Sequence, residues 1–131
     1  MSNQQPHKRI YIAGPMSGLP DCNRPAFHAE ANHQRERGHI PLNPATLPEG
    51  LTQAEYMACC LPMVMLADEL VMLPGWRDSQ GATAEFHLAM KCGKVIRQAL
   101  TISGAVINDC NGLGLKLMSC KLRERCALLL V

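Results

Sequence analysis

Apolar positions along the chain fall into short continuous runs separated by stretches with helical spacing. Arg9-Ile10-Tyr11-Ile12-Ala13 is a β-branched run and predicts a first strand, leading into a loop over 14–21 that holds two glycines and two prolines. Asn23 followed by Pro25 predicts a helix start and Gly38 its stop, with Phe27, Ala31 and Gln34 on one face. Residues 39–42 read as a second short strand entering Asn43-Pro44. Thr52-Gln53-Ala54-Glu55 matches a capping box, so a second helix begins there, with Met57, Leu61, Val64 and Met65 as its apolar face. Pro62 inside that pattern predicts a kink or a break. Residues 69–73 read as a third strand closed by Pro74-Gly75-Trp76, 81–92 as a third helix closed by Gly93, and 94–96 as a fourth strand.

Strands alternating with helices imply a parallel sheet covered on both faces. The expected fold class is therefore α/β, a three-layer Rossmann- or flavodoxin-like domain with four or five parallel strands. The expected organisation is a polar extension over 1–8, one domain over 9–97 and a C-terminal extension over 98–131. Within that extension, 100–107 can supply a further strand. Residues 115–131 can form an amphipathic helix with Lys116, Lys121, Arg123 and Arg125 outward, or a partner surface. In such a fold the ligand crevice lies at the carboxyl ends of the strands. The loops there, 14–21, 43–50 and 74–81, collect most of the chain's glycine, proline and small polar residues.

Composition narrows the function classes. A length of 131 residues suits one domain, and 47% hydrophobic with 18% charged residues suits a folded globular one. A formal net charge of +2 without a basic stripe argues against a nucleic-acid polymer as partner, so a small molecule is expected. No run approaches the roughly 20 apolar residues that span a bilayer, and the polar start lacks a secretory pattern. Seven cysteines without a C-x-x-C pair indicate neither a zinc site nor a redox motif. A reducing cytoplasm is the expected location. His28, His33 and His87 are expected on exposed helix positions, and no histidine pair has ligand spacing with a third group, so no metal is expected. Asp68, at the end of the second helix, is expected to make a turn or pair locally.

The third loop carries the chemistry. Gly81, Ala82 and Ala84 leave room for a ligand near a helix start whose free N–H groups favour an anion, and Ser79 adds a hydroxyl. Glu85 follows about one turn on, where the helix dipole favours an ionised carboxylate. Beside a sugar pocket such a group can attack an anomeric carbon or stabilise an oxocarbenium-like transition state. The same spacing also describes a solvated glutamate complementing the dipole, with Ser79 a simple N-cap and Gly81 a turn residue. Trp76 is either a stacking platform for a base or a rim residue packed on the sheet or on a neighbouring subunit. Asn43 either contacts the ligand or forms the turn before Pro44. In the first loop Gly14, Pro15, Met16, Ser17, Gly18 and Asp21 are candidate substrate contacts, though Ser17 and Asp21 can equally cap the loop. Cys59 and Cys60 read as helix packing.

The stretch from Ile10 to Val95 resembles the nucleoside 2-deoxyribosyltransferase superfamily, and within it a phage- and prophage-associated branch. The motifs that carry the likeness are Ile10-Tyr11-Ile12-Ala13-Gly14-Pro15-Met16-Ser17-Gly18, Leu73-Pro74-Gly75-Trp76, and Gly81-Ala82-Thr83-Ala84-Glu85. The resemblance implies that Glu85 is the catalytic nucleophile and Tyr11 its helper. The Ser79-to-Glu85 spacing is similar to the 2′-deoxynucleoside 5′-phosphate N-hydrolase branch, which implies that Ser79 holds a 5′-phosphate. It further implies a nucleoside or nucleotide ligand, no cofactor, and a homodimer or larger homo-oligomer. The implied reaction is hydrolysis of the N-glycosidic bond; deoxyribosyl transfer and a catalytically silent nucleotide-binding or sensor module are the alternatives. Relatives carry an aspartate before a leucine in the second helix, where this chain has Cys60 before Leu61.

Overall fold

The computed structural model describes residues 7–102 and 105–107. Four strands, β1 (Arg9–Ala13), β2 (Ile40–Leu42), β3 (Glu69–Met72) and β4 (Val95–Gln98), form one sheet in the order β2-β1-β3-β4. All three pairings are parallel, with Tyr11 opposite both Leu42 and Leu70. The crossovers are α1 (Arg24–Glu36), α2 (Gln53–Leu66) and α3 (Gln80–Lys91). The three-layer parallel α/β fold expected from the alternation is the one found.

Period-two alternation within the central strands builds two cores. Ile10, Ile12, Val71 and Leu73 pack with Phe27 and Ala31 of α1 on one face. Tyr11, Ala13, Leu70 and Met72 pack with Cys60, Val64 and Ala67 from the α2 side and with Ala82 and Ala89 of α3 on the other. Both faces of β1 and β3 are covered, which is why these strands read as unbroken apolar runs rather than alternating ones. Each fully buried Ile, Leu or Met contributes about 1.5–3 kcal/mol.

Helix ends follow local chemistry. Gly38, with φ +84, takes the left-handed conformation that stops α1. Thr52 and Glu55 make the reciprocal capping box of α2. That helix runs unbroken through Pro62, which is exposed, so the expected break does not occur. The carbonyl of Ala58, also on an exposed residue, loses its helical donor on the side that water reaches. The buried stripe of α2 is likewise displaced from the expected one: Cys60 and Val64 are buried and Met63 packs against them, whereas Met65 is 52% exposed. The helix meets the sheet and α3 together, which turns the stripe towards 60, 64 and 67.

Asp68 does not pair locally. It accepts from the backbone N–H of Arg9 at 2.8 Å and from its guanidinium, tying the start of β3 to the start of β1. His33 is half-buried rather than exposed. Residues 100–107 give two strands, β5 (Leu100–Ile102) and β6 (Ala105–Ile107), paired antiparallel outside the main sheet. The helix expected over 115–131 lies outside the described residues.

Candidate active site

From β1 the chain turns one way to β2 and crosses back to β3 on the other side. The connections therefore diverge at the carboxyl ends of β1 and β3, where open α/β sheets hold their ligands. Gly14 sits at that point, where an added Cβ would stand 2.8 Å from the Cβ of Leu73, so only glycine lets the two loops meet this closely. A cavity of about 180 Å³ opens there. This is far more than the 10–15 Å³ or so that one water requires. A broader cleft of about 680 Å³ adjoins it, sharing Met16, Ser17, Gln53, Ser79 and Gly81.

Glu85 lines the cavity and is only 6% exposed. The hydroxyl of Tyr11, fully buried on β1, donates to its Oε1 at 2.7 Å across 74 residues of sequence. Burial pushes the Glu85 carboxyl up to about 7, against the opposing pull of the Tyr11 hydrogen bond. Desolvation thus works against the ionised state that the helix dipole is expected to favour, and it outweighs the Tyr11 hydrogen bond. Tyr11 is held well above the usual phenol range, first by burial and then by the Glu85 charge, so it stays a donor. Cys60, also lining the cavity, has its thiol raised by burial and is neutral near pH 7. No charge stands where the resemblance places an aspartate.

The remaining sequence candidates divide. Gly14, Met16, Ser17, Ser79 and Gly81 line the cavity with Glu85. Ser79 is also the N-cap of α3, its Oγ accepting from Ala82 N–H at 3.2 Å, so the N-cap reading holds and the residue lines the cavity as well. Pro15 lines only the broader cleft, and Gly18 lines neither. Asp21 is exposed and accepts from Arg24 at 3.1 Å. Asn43 is buried, its Oδ1 capping the turn at Ala45 N–H and its amide bonded to His28, and it lines neither space. Trp76 is buried rather than at the rim. It stacks on Phe86 with centroids 4.6 Å apart, carries the Arg77 guanidinium 4.7 Å from its ring centroid, and donates to Gln98. Its ring is occupied by the protein itself, and it lines neither space.

Several cavity residues were not anticipated from the sequence: Cys22, Phe27 and Pro44, and, with more polar or larger side chains at the opening, Arg24, Gln53, Tyr56 and Met57. The last three belong to the N-terminal part of α2, which overhangs the crevice before the helix reaches the sheet. A signal was present, because 53, 57, 60 and 64 form one helical stripe. Its polar beginning marks where packing on the sheet gives way to the crevice. Among the described residues no group of three His, Cys, Asp or Glu is placed to hold a metal ion, and no helix is long and apolar enough to cross a membrane.

Comparison with known proteins matches most of the chain to a family. Residues 8–98 match the family described as "Domain of unknown function (DUF4406)". No curated protein matches the chain by sequence. A solved structure of 2-desoxiribosyltransferase from Leishmania mexicana is similar in fold, with a TM-score of 0.58 and 18% identity over 77% of this chain and 79% of that one. The fold is thus nucleoside 2-deoxyribosyltransferase-like.

Proposed function

The chain belongs to the DUF4406 family, and on that premise we propose that it cleaves the N-glycosidic bond of a nucleoside or nucleoside 5′-monophosphate, with Glu85 as nucleophile. The observation that carries this reading is the Tyr11–Glu85 hydrogen bond at the cavity wall, where a largely buried carboxyl is oriented and its pKa raised to about 7. A fold shared with a 2-desoxiribosyltransferase supports a nucleoside as the ligand.

In its ionised form Glu85 attacks C1′, and the C1′–N bond breaks with its electron pair leaving on the base nitrogen, which takes up a proton from water. The sugar is then held as an ester of Glu85. Water attacks C1′, its proton passes to solvent, and the carboxylate is regenerated. Tyr11 holds the carboxylate by its hydrogen bond throughout, while Ser79 and Gly81 offer a hydroxyl and open space to the ligand. Apolar walls from Met16, Met57 and Tyr56 suit a flat base. If a second base replaces water in the last step, the outcome is transfer instead.

One observation favours a second reading, binding without turnover: Cys60 leaves the cavity with a single acid. The test is incubation with a panel of nucleosides and their 5′-monophosphates, following released base, for the wild type and Glu85→Ala. Release by the wild type and a loss of at least about 10³-fold in the variant is expected. Equal release by both removes Glu85 from the mechanism, and saturable binding with no release selects the second reading. Adding an acceptor base and looking for a new nucleoside separates transfer from hydrolysis.

A further inference from the structure

The charge lining the cavity is sparse and opposed: Glu85 is its one acid and Arg24 its one cation among the described residues. Arg24 is the first residue of α1, and its side chain is only 19% exposed. Its guanidinium contacts Asp21 and Glu49, each at 3.1 Å, but those carboxylates are 64% and 80% exposed. Ion pairs with such exposed partners are worth little and exchange readily for a better anion. The backbone leading into Arg24 is held in an uncommon state. Asp21, Cys22 and Asn23 have φ of 50, 50 and 57, three consecutive non-glycine residues in the left-handed region. Asn23 secures this turn by donating to the carbonyl of Pro15 at 2.9 Å, and Cys22 and Arg24 both reach the cavity wall from it. Strain that persists beside a cavity points to a positioned side chain.

Resting on the reading that a nucleoside occupies the cavity, we propose that Arg24 is the anion anchor for a phosphomonoester on the sugar, making the preferred ligand a nucleoside 5′-monophosphate. A phosphate dianion is repelled by Glu85 and must sit away from it, and the guanidinium fork matches phosphate oxygens two at a time. The Ser79 end suits the phosphate less well. The adjoining cleft at that end carries the acid Asp78, which disfavours a dianion there. Arg24 thereby assigns ligand orientation, with phosphate beside α1 and the anomeric carbon towards α3.

The experiment measures Kd for nucleosides, their 5′-monophosphates and inorganic phosphate, alongside base release, in wild type, Arg24→Gln, Ser79→Ala and Glu49→Gln. The wild type is expected to prefer the monophosphate over the nucleoside by about 10–100-fold, the range of a charge-assisted hydrogen-bonded pair. Arg24→Gln abolishes that preference, Ser79→Ala retains most of it, and Glu49→Gln, which removes a competing carboxylate, strengthens monophosphate binding a few-fold. Preference surviving in Arg24→Gln, or lost in Ser79→Ala alone, overturns the proposal. Base release without any phosphate preference overturns it while leaving the glycosidic reading intact. Arg24-dependent binding of phosphate without base release does the reverse.

Discussion

Glu30 and Glu85 are two buried carboxyls on helices that cover opposite faces of one sheet. Glu30, 1% exposed on α1, accepts from the Gln34 amide at 2.7 Å and leaves its Oε2 without a partner among the described residues. Glu85, 6% exposed on α3, accepts from Tyr11. Burial raises both to about 7, each against a hydrogen bond that lowers it. Titration alone therefore does not tell them apart. What differs is the space in front of them: Glu85 faces the cavity at the strand ends, and Glu30 lines neither that cavity nor its adjoining cleft. A raised carboxyl pKa records desolvation. It marks a reactive group only where a ligand can reach it.

The sharpest break between the two is chemical. Glu85→Gln is expected to lower base release by at least about 10³-fold while keeping the Tyr11 hydrogen bond, and Glu30→Gln to leave it within about twofold. Comparable losses in both variants would erase the distinction between the two carboxyls.

Stability is where the two should behave alike. A carboxyl whose pKa is raised by folding holds its proton more tightly in the folded state. Its contribution is fully present below the ordinary value of about 4.5 and is lost as pH rises through about 7. Denaturant unfolding across pH 4–8 should therefore show stability falling over that interval. Each Glu→Gln variant should recover up to about 3 kcal/mol at pH 8, the free-energy equivalent of the shift. A flat profile in the wild type would count against the buried, protonatable state of both groups.

Tyr11→Phe sharpens the contrast from the other side. Losing a hydrogen bond to a charged group should reduce kcat/KM about 10–100-fold at pH 7. That bond lowers the Glu85 pKa, so its removal raises the pKa further, and the acidic limb of the pH–kcat/KM profile should move from near 7 to higher pH. A slower enzyme with an unmoved limb would make Tyr11 a packing residue.

Local patterning carried the fold. The β-branched run at 9–13, the Thr52–Glu55 capping box and the stops at Gly38 and Gly93 each encode hydrogen bonding within a few residues, so their elements lie close to where the pattern puts them. The motif resemblance also singled out Tyr11 and Glu85, which the fold brings within 2.7 Å. Only packing decided the rest. That Glu85 is poised near neutrality, that Glu30 is equally buried, that Trp76 turns inward on Phe86, and that Arg24 and the first turn of α2 close the cavity all depend on which surfaces meet across the sheet. Hydrogen-bond periodicity is a property of neighbours in sequence. Desolvation and convergence are properties of groups tens of residues apart, and these exist only once the layers have packed.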